Sequence, residues 1–221
     1  MSKNVTPLSL GIETLGGVMT RVIDRDTPLP TRNSVIFSTS EDEQKSVHVK
    51  VYQGEREIAV HNKLLGDMEL TGLVPAPRSV PHIEVTLDID ANGILNVSAR
   101  DHATSREQRI TIAGAMTLES AEIERMIRDA EQHAAEDRRQ REEAETRVEA
   151  DALVHQTARL IRQVSDRVPM AVTAPCVQQV FELQRALREN ADMQRVRSLM
   201  KDLRQSSYDL AQYLAPSAGD E

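Results

Sequence analysis

Between residues 10 and 23 the chain reads LGIETLGGVMTRVI, with Gly11, Gly16 and Gly17 set among branched apolar residues. Backbone N–H groups of a glycine-rich loop can surround a phosphate, and Gly11 and Gly16 have the separation of the first and second glycines of a P-loop. Gly17 and Val18, however, stand where that loop needs Lys and Ser/Thr. Val18, Thr20 and Val22 then alternate with Met19, Arg21 and Ile23, the period of a strand rather than of a phosphate-capping helix. The local reading is a β-hairpin turning at Gly16-Gly17. Other chemistry-bearing residues are dispersed. The histidines (His48, His61, His82, His102, His133, His155) show no paired ligand spacing, and neither HExxH nor GxSxG occurs. The single cysteine, Cys176, excludes an internal disulfide and a cysteine-based zinc site, and is expected to be buried and inert. Asp151 and His155, four residues apart, share one face of a helix and taken alone read as solvated. Hydrolysis has no motif behind it, so the chain is not expected to be an enzyme.

Composition narrows the partners. A formal net charge of −8 and 2% aromatic residues argue against nucleic acid, which needs a basic surface and stacking platforms. No apolar run is long enough to span a bilayer and no basic-then-apolar leader opens the chain, so a cytoplasmic protein without membrane contact is expected.

The elements fall into two groups. Eight of the nine glycines and six of the nine prolines precede residue 115, and beyond it Ala, Glu, Arg, Gln and Leu dominate. In IEVTLDIDANGILNVSAR, Ile83, Val85, Leu87 and Ile89 alternate with polar residues, Asn92-Gly93 turns, and Leu95, Val97 and Ala99 resume the pattern. VHVKVYQG and RITIAG add strands, which predicts roughly eight short strands in an antiparallel sandwich. Thr117 is expected to cap a helix, with Ile123, Met126, Ile127, Ala130 and Ala134 at helical spacing. From Arg128 to Arg147 there is no large apolar residue, which predicts a solvated arm. Val154, Ala158, Ile161, Val164 and Val168 follow, up to Pro169. Val177, Val180, Phe181, Gln184 and Leu187 form a second stripe, and Val196, Leu199, Met200, Leu203, Leu210 and Leu214 a third, together predicting a small antiparallel bundle. The expected class is α+β: a β-sandwich over residues 1–115 and a helical part over 116–221.

Five segments, VTPLSLGIETLGGVMTRVI, FSTSEDEQ, VYQGER, NKLLGDMELTGLVPAPR and PHIEVTLDIDANGILNVSARD, together resemble the substrate-binding domain of bacterial DnaK-type heat-shock chaperones. The likeness runs without obvious gaps from Val5 to about Pro169, including TLESAEIERMIRDAE, and more loosely beyond. It implies a stress-response chaperone domain that binds extended hydrophobic segments of unfolded proteins in a sandwich cleft under a helical lid. That family's amino-terminal ATPase domain and apolar interdomain linker have no counterpart here, so the chain is expected to be an excised domain. It would need no cofactor of its own, ATP and Mg belonging to the ATPase domain. Implied partners are that ATPase domain, a J-domain co-chaperone and a nucleotide exchange factor.

By position, the resemblance implies that Ile12, Thr14, Val18, Thr20, Phe37, Val47, Val49 and Ile83 form or support a pocket for one apolar side chain, typically leucine. Backbone groups at Thr14, Ser38 and Ser40 and the Gln44 side chain would bond the peptide main chain. Leu15 and Ser40 occupy the arch over the peptide, where bacterial relatives usually carry Met and Ala, and Ser40 is the more polar departure. Glu119 stands where relatives more often have a capping Asn or Ser. The resemblance further implies a lid latch, from Asp151 to Arg78 and Arg56 and from His155 to Asp42, with Leu153 and Val154 adding apolar contact. The tail, with Leu210 and Leu214 among few charges, is expected to fit a neighbour's pocket if it frays, giving self-association. The contrasting expectation is a structural adaptor whose arm and bundle dimerise or dock on a fixed partner.

Overall fold

In the computed structural model, residues 4–214 are described and form two compact units that divide between Arg141 and Glu142. The first unit holds eight strands: β1 (Leu10–Thr14), β2 (Val18–Ile23), β3 (Thr31–Phe37), β4 (Ser46–Gln53), β5 (Lys63–Thr71), β6 (Ile83–Ile89), β7 (Leu95–Asp101) and β8 (Glu107–Ile112). They make two antiparallel four-stranded sheets, ordered β2-β1-β4-β5 and β3-β6-β7-β8. The alternation read from the sequence is the reason. Val85, Leu87 and Ile89 on β6 and Leu95, Val97 and Ala99 on β7 point to one face, and with Leu10, Ile12, Val49, Val51, Met68 and Leu70 of the other sheet they fill a single core. At the Asn92-Gly93 turn, Ile89 pairs with Leu95, and Gly93 has φ 79°.

Three helices follow: α1 (Ser120–Val164), α2 (Met170–Arg188) and α3 (Met193–Ala211). The fold is therefore α+β, a β-sandwich followed by helices. Strands end at Ile112 and helix begins at Ser120, either side of the change in composition near residue 115. Thr117 does not cap α1 as expected. Its hydroxyl instead donates to Gly114 O (2.9 Å), closing a turn just before the helix, and the Glu119 carbonyl accepts the first helical amide bonds. No helix among the described residues is long and apolar enough to cross a membrane.

The second unit has its own core of Val154, Val164, Cys176, Val180, Leu183, Val196, Met200, Leu203 and Leu210. Pro169 precedes α2, which begins at Met170, ahead of its predicted stripe, and runs on through Pro175 although that residue supplies no N–H to the helix ladder. Phe181, expected in the buried stripe, is 61% exposed. The buried face of α2 is Thr173, Cys176, Val180, Leu183 and Ala186. Two apolar stripes overlap on this helix, and the one carrying Cys176 and Leu183 turns inward. Burial pushes the Cys176 thiol above its usual range, consistent with an inert side chain. Asp192 caps α3 by accepting from Arg195 N (3.0 Å).

Candidate functional site

The glycine stretch folds as the β1–β2 hairpin. Thr14 pairs with Val18, and Leu15, Gly16 and Gly17 make the turn, closed by Gly17 N donating to Thr14 O (3.0 Å). Gly16 and Gly17 have φ of 83° and 73°, a region other residues enter at a cost. With the Gly11–Gly16 segment folded as a hairpin and no Lys after it, these residues do not fit a nucleotide phosphate. Leu15 at the tip is 50% exposed.

Behind this turn the residues singled out from the sequence grade from buried to half-buried. Ile12 on β1, Val49 on β4 and Ile83 on β6 lie fully buried in one cluster, with Phe37 and Val47 half-buried against it. Val18 is also buried. Thr14 and Thr20 are half-buried and share a hydrogen bond of 3.0 Å, while the Thr14 hydroxyl also reaches Val18 O (3.2 Å). Pairing within each sheet and packing of the two sheets against one another bring these residues together from five strands, β1, β2, β3, β4 and β6.

The β3–β4 connection carries Ser38, Ser40 and Gln44. Gln44 Oε1 accepts from Ser40 N (3.0 Å), Ser40 Oγ (3.3 Å) and Glu41 N (3.3 Å), and its Nε2 donates to Ser46 O (2.7 Å). Its side chain is thus the internal brace of this loop, and Nε2 has spent one of its two hydrogens there. Ser38 Oγ donates to Pro81 O (2.5 Å), tying the same loop to the β5–β6 connection. Asp42 Oδ1 accepts from Arg78 N (2.9 Å). On α1, His155 Nε2 lies 3.6 Å from Asp151 Oδ1, one helical turn away. Val154 belongs to the core of the second unit, with Leu153 partly buried against it.

Arg56 is engaged within its own unit. Its Nε and Nη2 fork onto Asp137 (2.6 and 2.7 Å) and its Nη1 reaches Asp129 (2.8 Å). Glu57 N adds a bond to Asp137 at 3.3 Å, and Arg141 lies 3.7 Å from the Glu57 carboxylate. Asp137, in the stretch of α1 that lacks large apolar residues, is 1% exposed. The Arg56 guanidinium holds the Asp137 carboxyl below the usual range despite burial, and does the same to Asp129. The two aspartates in turn raise Arg56. This cluster also bears on the hairpin, because Met19 N donates to Glu57 O (2.8 Å) and Ala59 N to Gly17 O (2.9 Å). One loop, 54–62, therefore connects α1 to the turn that carries Leu15.

Sequence reasoning missed Asp129 and Asp137. The signal was present as acidic residues at i and i+8 on one helix face, in a stretch otherwise read as solvated. Of the tail, Leu210 lies in the bundle core, whereas the Leu214 side chain and residues 215–217 lie outside the described residues.

A family model described as Hsp70 protein matches residues 1–215. With that match over nearly the whole sequence, on a sandwich followed by helices, the chain belongs to the Hsp70 family of heat-shock chaperones.

Proposed function

We propose that this chain is a DnaK-type substrate-binding domain that holds extended, apolar segments of unfolded proteins. The observation that carries the reading is the gradient of burial: Ile12, Val49 and Ile83 are buried, Phe37 and Val47 are half-buried against them, and Leu15 on the glycine turn is exposed. In this reading the half-buried side chains would receive one apolar side chain. The backbone groups of Thr14, Ser38 and Ser40 would bond a main chain, which carries no sequence information. One burial plus main-chain bonding gives a site that accepts many sequences.

In this reading α1 and the bundle act as a lid, latched by Asp151 and His155 toward Arg78 and Asp42. ATP binding and hydrolysis in a separate ATPase domain would regulate it, with a J-domain co-chaperone and a nucleotide exchange factor as partners, in the cytoplasm. Fluorescence anisotropy with a leucine-centred heptapeptide tests the reading. The native chain is expected to bind and Val47→Phe, which would fill the proposed site, to abolish binding. A native chain that ignores the peptide, or a Val47→Phe variant that binds it equally well, refutes the site.

A second reading, an adaptor that pairs through its helices, is favoured by one observation: Phe181 and Met170 lie exposed along α2 beside Arg185 and Arg188. A concentration-dependent sedimentation coefficient that Phe181→Ser abolishes would support it, and monomeric behaviour at all concentrations would remove it.

A further inference from the structure

Apart from the proposed peptide site, the sandwich unit has a concavity of about 360 Å³, walled by the β5–β6 connection and the β7–β8 turn. Its size lies at the small end of the roughly 300–1,000 Å³ typical of ligand pockets. Leu73, Pro81 and Ala103 line it, with Val74 and Val80 57% and 53% exposed at its wall. These two β-branched side chains leave apolar surface open on adjoining parts of one loop.

Both walls are fixed. The Asp101 carboxylate accepts from Thr104 Oγ1 (2.6 Å), Ala103 N (3.1 Å) and Thr104 N (3.2 Å), and His102 N donates to His82 O (3.0 Å). Burial alone would raise the Asp101 carboxyl, but these bonds outweigh it and hold the group ionised below the usual range. The opposite wall is bonded to the β3–β4 connection, which carries Ser38, Ser40 and Gln44 of the proposed peptide site, at three points: Leu73 N to Lys45 O (3.0 Å), Glu43 N to Ala76 O (2.8 Å) and Ser79 N to Thr39 O (3.1 Å). The concavity and the proposed peptide site therefore share a wall, the first site lying on the Ser40 side of it and the concavity on the Val80 side.

We infer that this concavity is a second docking point, which takes an apolar side chain from a more distant part of the same extended polypeptide. The inference rests on the proposed function. Its occupant follows from the continuity of the wall and from the apolar part of the lining, Leu73, Val74, Val80, Pro81 and Ala103, which stands beside His82, His102 and an Asp101 carboxylate already bonded within its own turn. A long client engages both sites, so the second engagement is intramolecular and raises affinity without adding any contact at the first.

The test compares a leucine-centred heptapeptide with a peptide of twice that length carrying two such segments, on the full chain. The longer peptide is expected to bind at least about tenfold more tightly, beyond the statistical factor of two sites. The double substitution Val74→Ser/Val80→Ser should remove that gain while leaving heptapeptide affinity unchanged. Valine methyl resonances should shift at Val74 and Val80 with the longer peptide. Equal affinities of the two peptides for the native chain, or a double variant weakened equally toward both, overturn the second site while the first stands. If neither peptide binds the native chain, the proposed function and the second site fail together.

Discussion

Removing the Asp137 carboxylate should loosen loop 54–62 while leaving the sandwich folded. Asp137 is almost wholly buried and accepts two bonds from Arg56 and one from Glu57 N. Breaking one partner of a buried, hydrogen-bonded ion pair costs about 3–5 kcal/mol. In Asp137→Asn, Asp129 remains to balance Arg56, and its side chain is 46% exposed, so the lower end applies, about 3 kcal/mol. At about 1.4 kcal/mol per factor of ten, that is a change of about a hundredfold in local opening.

Native-state hydrogen exchange reads this directly at Glu57 N, which bonds Asp137, and at Met19 N and Ala59 N, which bond loop 54–62 to the hairpin. Protection of the Glu57 amide should fall by about a hundredfold, with smaller losses at Met19 and Ala59 and none at β6 and β7. Arg56→Lys keeps the charge but not the fork, and should fall between native and Asp137→Asn. The decisive measurement is the double-mutant cycle of Arg56→Ala with Asp137→Ala. If the two effects add to within about 0.5 kcal/mol, the residues are uncoupled and the reasoning is refuted.

Acid should act on the same cluster. The Asp137 and Asp129 carboxyls titrate below their unfolded value of about 3.9, so their contribution is complete above that pH and is lost as pH falls through the lowered folded-state values. Exchange at Glu57 N, corrected for intrinsic rate, should be flat from about pH 5 to 8 and rise below about pH 4; a rise near neutrality would contradict this. Gly17→Ala should destabilise the sandwich by about 1–2 kcal/mol through its positive φ alone, since no atom lies within 4 Å of the added carbon. An unchanged urea midpoint would refute that account. For the proposed latch, Asp151→Asn or Arg78→Ala should speed dissociation of a labelled heptapeptide without altering the circular dichroism of the sandwich; unchanged off-rates would remove the latch.

Alternation fixed the sandwich well, because β6 and β7 bury every second residue and turn on Asn92-Gly93, a pairing that local chemistry dictates. β3 was harder to see. Its sequence TRNSVIF has little alternation, and it is held by β6 from Phe37↔Ile83 to Thr31↔Ile89 rather than by its own pattern. On α2 periodicity could not choose between two apolar stripes, and Phe181 was assigned inward when the surface around it is open. The residues of the proposed peptide site were identified by resemblance, since alternation alone gives only core. Asp137 escaped because a charged residue in a charged run looks solvated until a long-range partner, Arg56, is known to reach it.

The arm from Arg128 to Arg147 has no large apolar side chain, and that bears on how the proposed lid would let go. A flap glued down by grease would present a sticky underside each time it lifted, to be mistaken for another unfolded client. If this arm lifts as proposed, it would expose carboxylate, amide and guanidinium groups, which water receives readily. Each cycle of detachment could then be repeated without drawing neighbouring molecules together.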